Sequence, residues 1–126
     1  MRTLGIVGGS ATGRARMAEA LVRALAARGL AVSVVRRARD MFDPDVPGKD
    51  SRRHRDAGAR ETMVASAARF TLLHEGSRDA EPDAASLLAR LAPADVVLLD
   101  GLPGAEIEIA PGADPGPALA RLGFAP

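Results

Sequence analysis

Leu4-Gly5-Ile6-Val7-Gly8-Gly9-Ser10-Ala11-Thr12-Gly13-Arg14-Ala15 is the stretch from which the rest of the chain is read. An apolar run leads into closely spaced glycines, and a helical pattern follows. Strand, glycine loop and helix in that order make a phosphate-binding loop, because N–H groups of the loop and of the first helical turn then point at an anion. Against the template G-x-x-x-x-G-K-[ST], Gly8 and Gly13 hold the spacing. Arg14 stands in the lysine position and Ala15 in the hydroxyl position. A phosphate cradle is therefore predicted over Gly8, Gly9, Ser10, Ala11, Thr12 and Gly13, without the two chemical groups that normally complete it. A plain structural turn is the competing reading of the adjacent glycines.

Working outward, residues 14–28 carry Met17, Leu21 and Leu25 at four-residue intervals with Val22 beside them, which predicts a helix closed by Gly29. The β-branched run 30–35 predicts a buried strand, so the first 35 residues read as a β-α-β unit with parallel strands. Pro44, Pro47 and Gly48 make 36–50 a loop, and Asp50 or Ser51 caps a short helix reaching about Ala59. Runs 62–65 and 70–73 read as a hairpin. Asp83 caps a helix over 84–91, stopped by Pro93.

Residues 95–100 form the strongest strand, apolar on both faces as a central parallel strand should be, and end in Asp100-Gly101. An acidic residue at that place holds Mg²⁺ in phosphate-loop proteins, whereas a simple strand-end turn is the bland alternative. A last strand is expected over 105–109. From 110 onward four prolines and many small residues predict a loosely ordered tail with one helical turn near Leu119. The organisation expected is a domain over 1–109 and a tail over 110–126.

Composition narrows the function. The chain of 126 residues has no cysteine, which excludes disulfides and thiolate metal sites. His54 and His74, the latter beside Glu75, lack ligand spacing and read as core or surface residues. The N-terminal apolar run is too short for a signal peptide and nothing is long enough to span a membrane, so the cytoplasm is expected. Net charge is only +1, yet residues 1–60 carry 13 basic and 6 acidic side chains, and residues 61–126 carry 4 and 10. A basic half beside a glycine loop suits an anionic ligand. Three Phe and no Tyr or Trp give nucleic acid no stacking platform. Lys49 is the only lysine among 17 basic residues.

Beyond the glycine loop the chain reads Phe42-Asp43-Pro44-Asp45-Val46-Pro47-Gly48-Lys49-Asp50-Ser51. Arg53-His54-Arg55-Asp56-Ala57-Gly58-Ala59, Leu72-Leu73-His74-Glu75 and the strand ending in Asp100-Gly101 follow. Through these segments the chain shows a resemblance to the molybdopterin-guanine dinucleotide biosynthesis adaptor (MobB) family. It implies a P-loop NTPase-like α/β fold, a three-layer sandwich with a largely parallel sheet, commonly as a homodimer. It further implies GTP as ligand with at most very weak hydrolysis, Mg²⁺ at Asp100, molybdopterin as a second ligand, and a guanylyltransferase as partner. Asp43, Asp45, Lys49, Asp50 and His54 fall on the family's second signature segment, a ligand or partner site of unassigned chemistry.

Arg14 and Ala15 depart from the family, as does Arg36-Arg37-Ala38-Arg39-Asp40, where the family is histidine-rich. These departures predict weakened nucleotide chemistry. Two other readings compete: a weak GTPase using Arg14 in place of lysine, and an NADP-binding oxidoreductase domain with Arg36 and Arg37 on the 2′-phosphate. Gly8-Gly9-x-x-x-Gly13 does not match the G-x-G-x-x-G that the latter needs.

Overall fold

A computed structural model describes residues 1–38, 50–76 and 80–124. The chain divides into two compact units, one made of Met1–Arg37 with Pro82–Pro126, the other of Ala38–Glu81.

The larger unit is built on a four-stranded sheet. Its strands are β1 (Arg2–Ile6), β2 (Val32–Arg36), β5 (Val96–Asp100) and β6 (Ile107–Ile109), in the order β2-β5-β1-β6 and parallel throughout. Helix α1 (Ala11–Ala27) connects β1 to β2, as the β-α-β pattern requires, but β5 lies between those two strands. The reason is legible in β5 itself: every residue of Val96–Asp100 is buried. A strand apolar on both faces loses least by taking a central place, and the mixed pattern of β2 suits an edge.

Alternation along β5 divides the core. Val96 and Leu98 join Leu4, Ile6 and the Ala18, Leu21 and Leu25 stripe of α1. Val97 and Leu99 pack on the opposite face with Ala84 and Leu102, and with Leu87 and Leu88 of α3 (Ala84–Leu88). Helices on both faces make the three layers expected. Asp83 caps α3 through Ser86 N–H at 2.8 Å, and that bond holds its carboxyl below the ordinary carboxylate value. At the other end of β5, the Asp95 carboxylate accepts from Ala31 N at 2.7 Å and so fixes where β2 begins.

The segment after 110 is not a loose tail. It carries α4 (Gly116–Arg121), whose Ala118 joins the α1-side core together with Leu122 just beyond the helix. Leu119 and Phe124 pack against the same cluster. The prolines stand where they do least harm: Pro115 at the N-cap and Pro117 in the first turn, where no intrahelical N–H bond is lost. Residues 110–124 thus belong to the same compact unit as the sheet.

In the smaller unit, β3 (Glu61–Ala65) and β4 (Phe70–His74) form the expected antiparallel hairpin. Helix α2 (Asp50–Asp56) precedes it, and Arg55 Nε meets Glu75 Oε1 at 2.6 Å. The register puts Met63 opposite Leu72 and Ala65 opposite Phe70. Opposed pairs share a face, and on this one Met63, Phe70 and Leu72 are all exposed. Among the described residues no helix is long and apolar enough to cross a membrane.

Candidate functional site

The site of interest forms where β1 and β5 end, the carboxyl edge of a parallel sheet, where open α/β folds place their ligands. Beyond β1, Val7 N donates to Ile109 O at 2.9 Å, and the chain then reverses through two consecutive left-handed glycines, Gly8 at φ +80° and Gly9 at φ +61°. A Cβ on Gly9 would lie 3.1 Å from Pro111 Cγ, so this loop needs glycine for space as well as for backbone angle.

Ser10 then caps α1. Its Oγ accepts from Gly13 N at 2.9 Å, and its carbonyl accepts from Arg14 N at 3.0 Å. The helix therefore starts at Ala11, three residues before the hydrophobic pattern announces it. One consequence is chemical. The Gly13 amide is satisfied inside the chain, while Ala11 and Thr12, in the first turn, have no intrahelical acceptor and are oriented for an anion.

Arg14 is the centre of the arrangement. Its Nη1 donates to Gly8 O at 3.0 Å and to Gly9 O at 3.3 Å, and its Nε donates to Asp100 Oδ1 at 3.2 Å. The guanidinium so ties both loop glycines to the end of β5. Gly101 makes room for it: the backbone there is left-handed at φ +76°, and a Cβ would meet Arg14 Nε at 3.2 Å. The Asp100 side chain is 5% exposed, and its other oxygen lies 3.9 Å from Arg36 Nε, on a mostly exposed side chain. The Asp100 carbonyl also accepts from Arg37 N at 3.0 Å. One carboxylate thus faces two guanidiniums.

Beside the loop, α1 and β2 leave a groove of 480 Å³ lined by small or apolar residues, Ala15, Ala18, Val22 and Val34, with Arg23, Arg36 and Asp100 among its polar members. Ala15, in the hydroxyl position of the template, offers this groove only a methyl group.

The structure therefore brings together the predicted Gly8, Gly9, Ser10, Gly13, Arg14, Ala15 and Asp100. Asp43, Asp45 and Lys49 lie outside the described residues. Asp50 and His54 fall on α2 of the smaller unit, where Asp50 lies 3.9 Å from Arg53. His74 Nδ1 sits 3.0 Å from Glu61 Oε2 across the hairpin. Among the described residues no three His, Asp or Glu side chains gather as a metal-ligand set. Sequence reasoning missed Pro111 and the Arg14–Asp100 contact. No periodicity reports a contact 86 residues apart, although an arginine in a lysine position and a carboxylate at the facing strand end were both visible.

The family described as "MobB: Molybdopterin guanine dinucleotide synthesis protein B" matches residues 3–109. The molybdopterin-guanine dinucleotide biosynthesis adapter protein of Escherichia coli (strain K12) is 36% identical over 100 residues, covering 78% of this chain and 57% of that protein. Its namesake in Haemophilus influenzae is 31% identical over 98 residues, covering 78% and 55%. The chain thus spans a little over half the length of these curated relatives. A crystal structure of molybdopterin-guanine biosynthesis protein B (mobB) superimposes with a TM-score of 0.63 at 27% identity, over 79% of this chain and 60% of that one. Bacillus subtilis MobB gives 0.68 over 95% and 73%, and at 21% identity it speaks to the fold alone.

Proposed function

The chain belongs to the molybdopterin guanine dinucleotide synthesis protein B (MobB) family, and on that premise we propose that it is an adaptor in making molybdopterin guanine dinucleotide. In this reading it holds GTP weakly at the glycine loop, or binds molybdopterin, and assists a guanylyltransferase in the cytoplasm without itself being an enzyme of consequence. The observation that carries the reading is the convergence of Gly8, Gly9, the α1 N-terminus, Arg14 and Arg36 at one sheet edge. That is a positively charged receptacle for phosphate, and the family supplies the nucleotide.

The signature segment from Asp43 to Asp50 is the second half of the proposal. A chain that otherwise uses arginine keeps one lysine there, and a compact ammonium fits small oxygen-lined sites that a planar guanidinium does not. We assign it to contact with molybdopterin or with the transferase. Self-association is the third element. A two-stranded sheet is marginal by itself, and the exposed Met63, Phe70 and Leu72 face supports pairing with a second copy.

Parallel titration of GTP, NADPH and molybdopterin, with the guanylyltransferase present and absent, tests the function. GTP or molybdopterin binding that strengthens with the transferase supports the adaptor. NADPH binding in their stead returns the oxidoreductase reading, with Arg36 and Arg37 on the 2′-phosphate. In the same assay Lys49→Arg is expected to weaken binding of molybdopterin or of the transferase. Wild-type behaviour of both Lys49→Arg and Lys49→Ala would make that loop solvated scaffolding.

A further inference from the structure

Resting on the phosphate reading of the glycine loop and deepening it, we propose that this site takes a nucleotide's phosphates without a divalent cation, Arg14 being the positive charge built in where phosphate-loop proteins recruit Mg²⁺. The donor set is the first ground. Mg²⁺ demands a near-octahedral shell of oxygens, and a phosphate loop ordinarily supplies a Ser or Thr hydroxyl and an acidic residue toward it. Here Ala15 stands in the hydroxyl position, and Oδ1 of Asp100 already accepts from Arg14 Nε at 3.2 Å. The Asp100 expectation thus meets a carboxylate that serves an arginine.

Charge is the second ground. Arg14 and Arg36 flank the single carboxylate of Asp100, so the cluster carries an excess positive charge before any ligand arrives. A divalent cation placed among them would meet two like charges at close range and half-desolvated. A phosphate group would instead meet charge of opposite sign.

The third ground is the geometry of the guanidinium. Nη1 and Nε are spent on Gly8 O, Gly9 O and Asp100, which fixes the plane of the group over the loop. Nη2 has no hydrogen-bond partner among the described residues. It passes 3.4 Å from where a Cβ of Gly101 would stand, so the bare glycine is what leaves space around it. A planar group held through Nε and Nη1, with Nη2 left over, offers a directed donor to a phosphate oxygen, which a lysine ammonium on a flexible stem does not. The unsatisfied first-turn amides of α1 supply the remaining donors.

The test is calorimetric titration of GTP and of inorganic pyrophosphate, each in EDTA and in excess Mg²⁺. Wild type is compared with Arg14→Ala and with the double variant Arg14→Lys/Ala15→Thr, each checked by thermal melting. Wild-type affinities within threefold of each other in the two media are expected. The double variant is expected to bind at least tenfold tighter with Mg²⁺ than without it, and Arg14→Ala to lose at least tenfold in EDTA. Should Arg14→Ala not fold, the double variant, which keeps a cation at position 14, decides the question. Wild-type binding that rises tenfold or more with Mg²⁺ overturns this inference and leaves the nucleotide reading standing. No binding of either probe in either medium removes the nucleotide reading, and the inference with it.

Discussion

Leu122→Ala asks whether the C-terminal segment is part of the fold or an appendage. Leu122 is 5% exposed and packs in the cluster formed by Leu4, Ile6, Leu25, Leu98 and Ala118. Removing three carbons from a filled core loses their transfer free energy and leaves a cavity, together about 3 kcal/mol. The unit that contains it has roughly 80 residues, for which total stability is of the order of 4–12 kcal/mol. A unit of that size loses about 4–8 °C in melting temperature per kcal/mol, so the substitution should lower it by roughly 12–24 °C. Far-UV circular dichroism is the assay, because the chain has neither Trp nor Tyr for intrinsic fluorescence. Arg121→Ala, one residue earlier and exposed, is the control and should stay within about 0.5 kcal/mol of wild type. If Leu122→Ala melts within about 3 °C of wild type, α4 is not packed as described and the argument fails.

The glycine loop and the hairpin yield two further expectations. Gly9→Ala should cost about 1–2 kcal/mol for its left-handed backbone and more for the Pro111 contact, whereas Gly8→Ala, equally left-handed but facing open space, should cost only the former; urea melts in which the two variants coincide would show that Pro111 does not confine the loop. The wild-type protein should run as a dimer in light scattering, and Phe70→Ser with Met63→Ser should shift it to monomer without lowering far-UV ellipticity; a wild-type monomer at high protein concentration contradicts the self-association reading.

Much of the fold could be read from local pattern because the strong elements are locally consistent. The β-branched run of β2, the doubly apolar β5 and the capped α3 each announce themselves within a few residues. The hydrophobic pattern announces α1 late because the first three helical residues, Ala11, Thr12 and Gly13, carry no large apolar side chain. Their helicity comes from Ser10, whose cap is visible only when one asks where the Gly13 N–H finds a partner. The C-terminal helix was hidden for a related reason. Four prolines outweigh a short Ala-Leu-Ala run in any local reading, and only the tertiary cluster around Leu122 shows which signal prevailed. At the site, the glycines and Asp100 could be named from spacing, but their closure by Arg14 rests on strand order, and strand order was not written in any one segment.

The place where β6 meets the glycine loop has a consequence in time. Val7 N is held by Ile109 O, and two residues later Pro111 lies against Gly9 and Gly13. β6 has only three residues and pairs on one side, which is the weakest kind of sheet margin. Exchange of the Val7 amide with solvent deuterium should then proceed at the frequency with which β6 detaches, not at the faster pace of an isolated loop. The glycine loop begins at the next residue, so the edge of the sheet sets how long the entry to that loop keeps its shape.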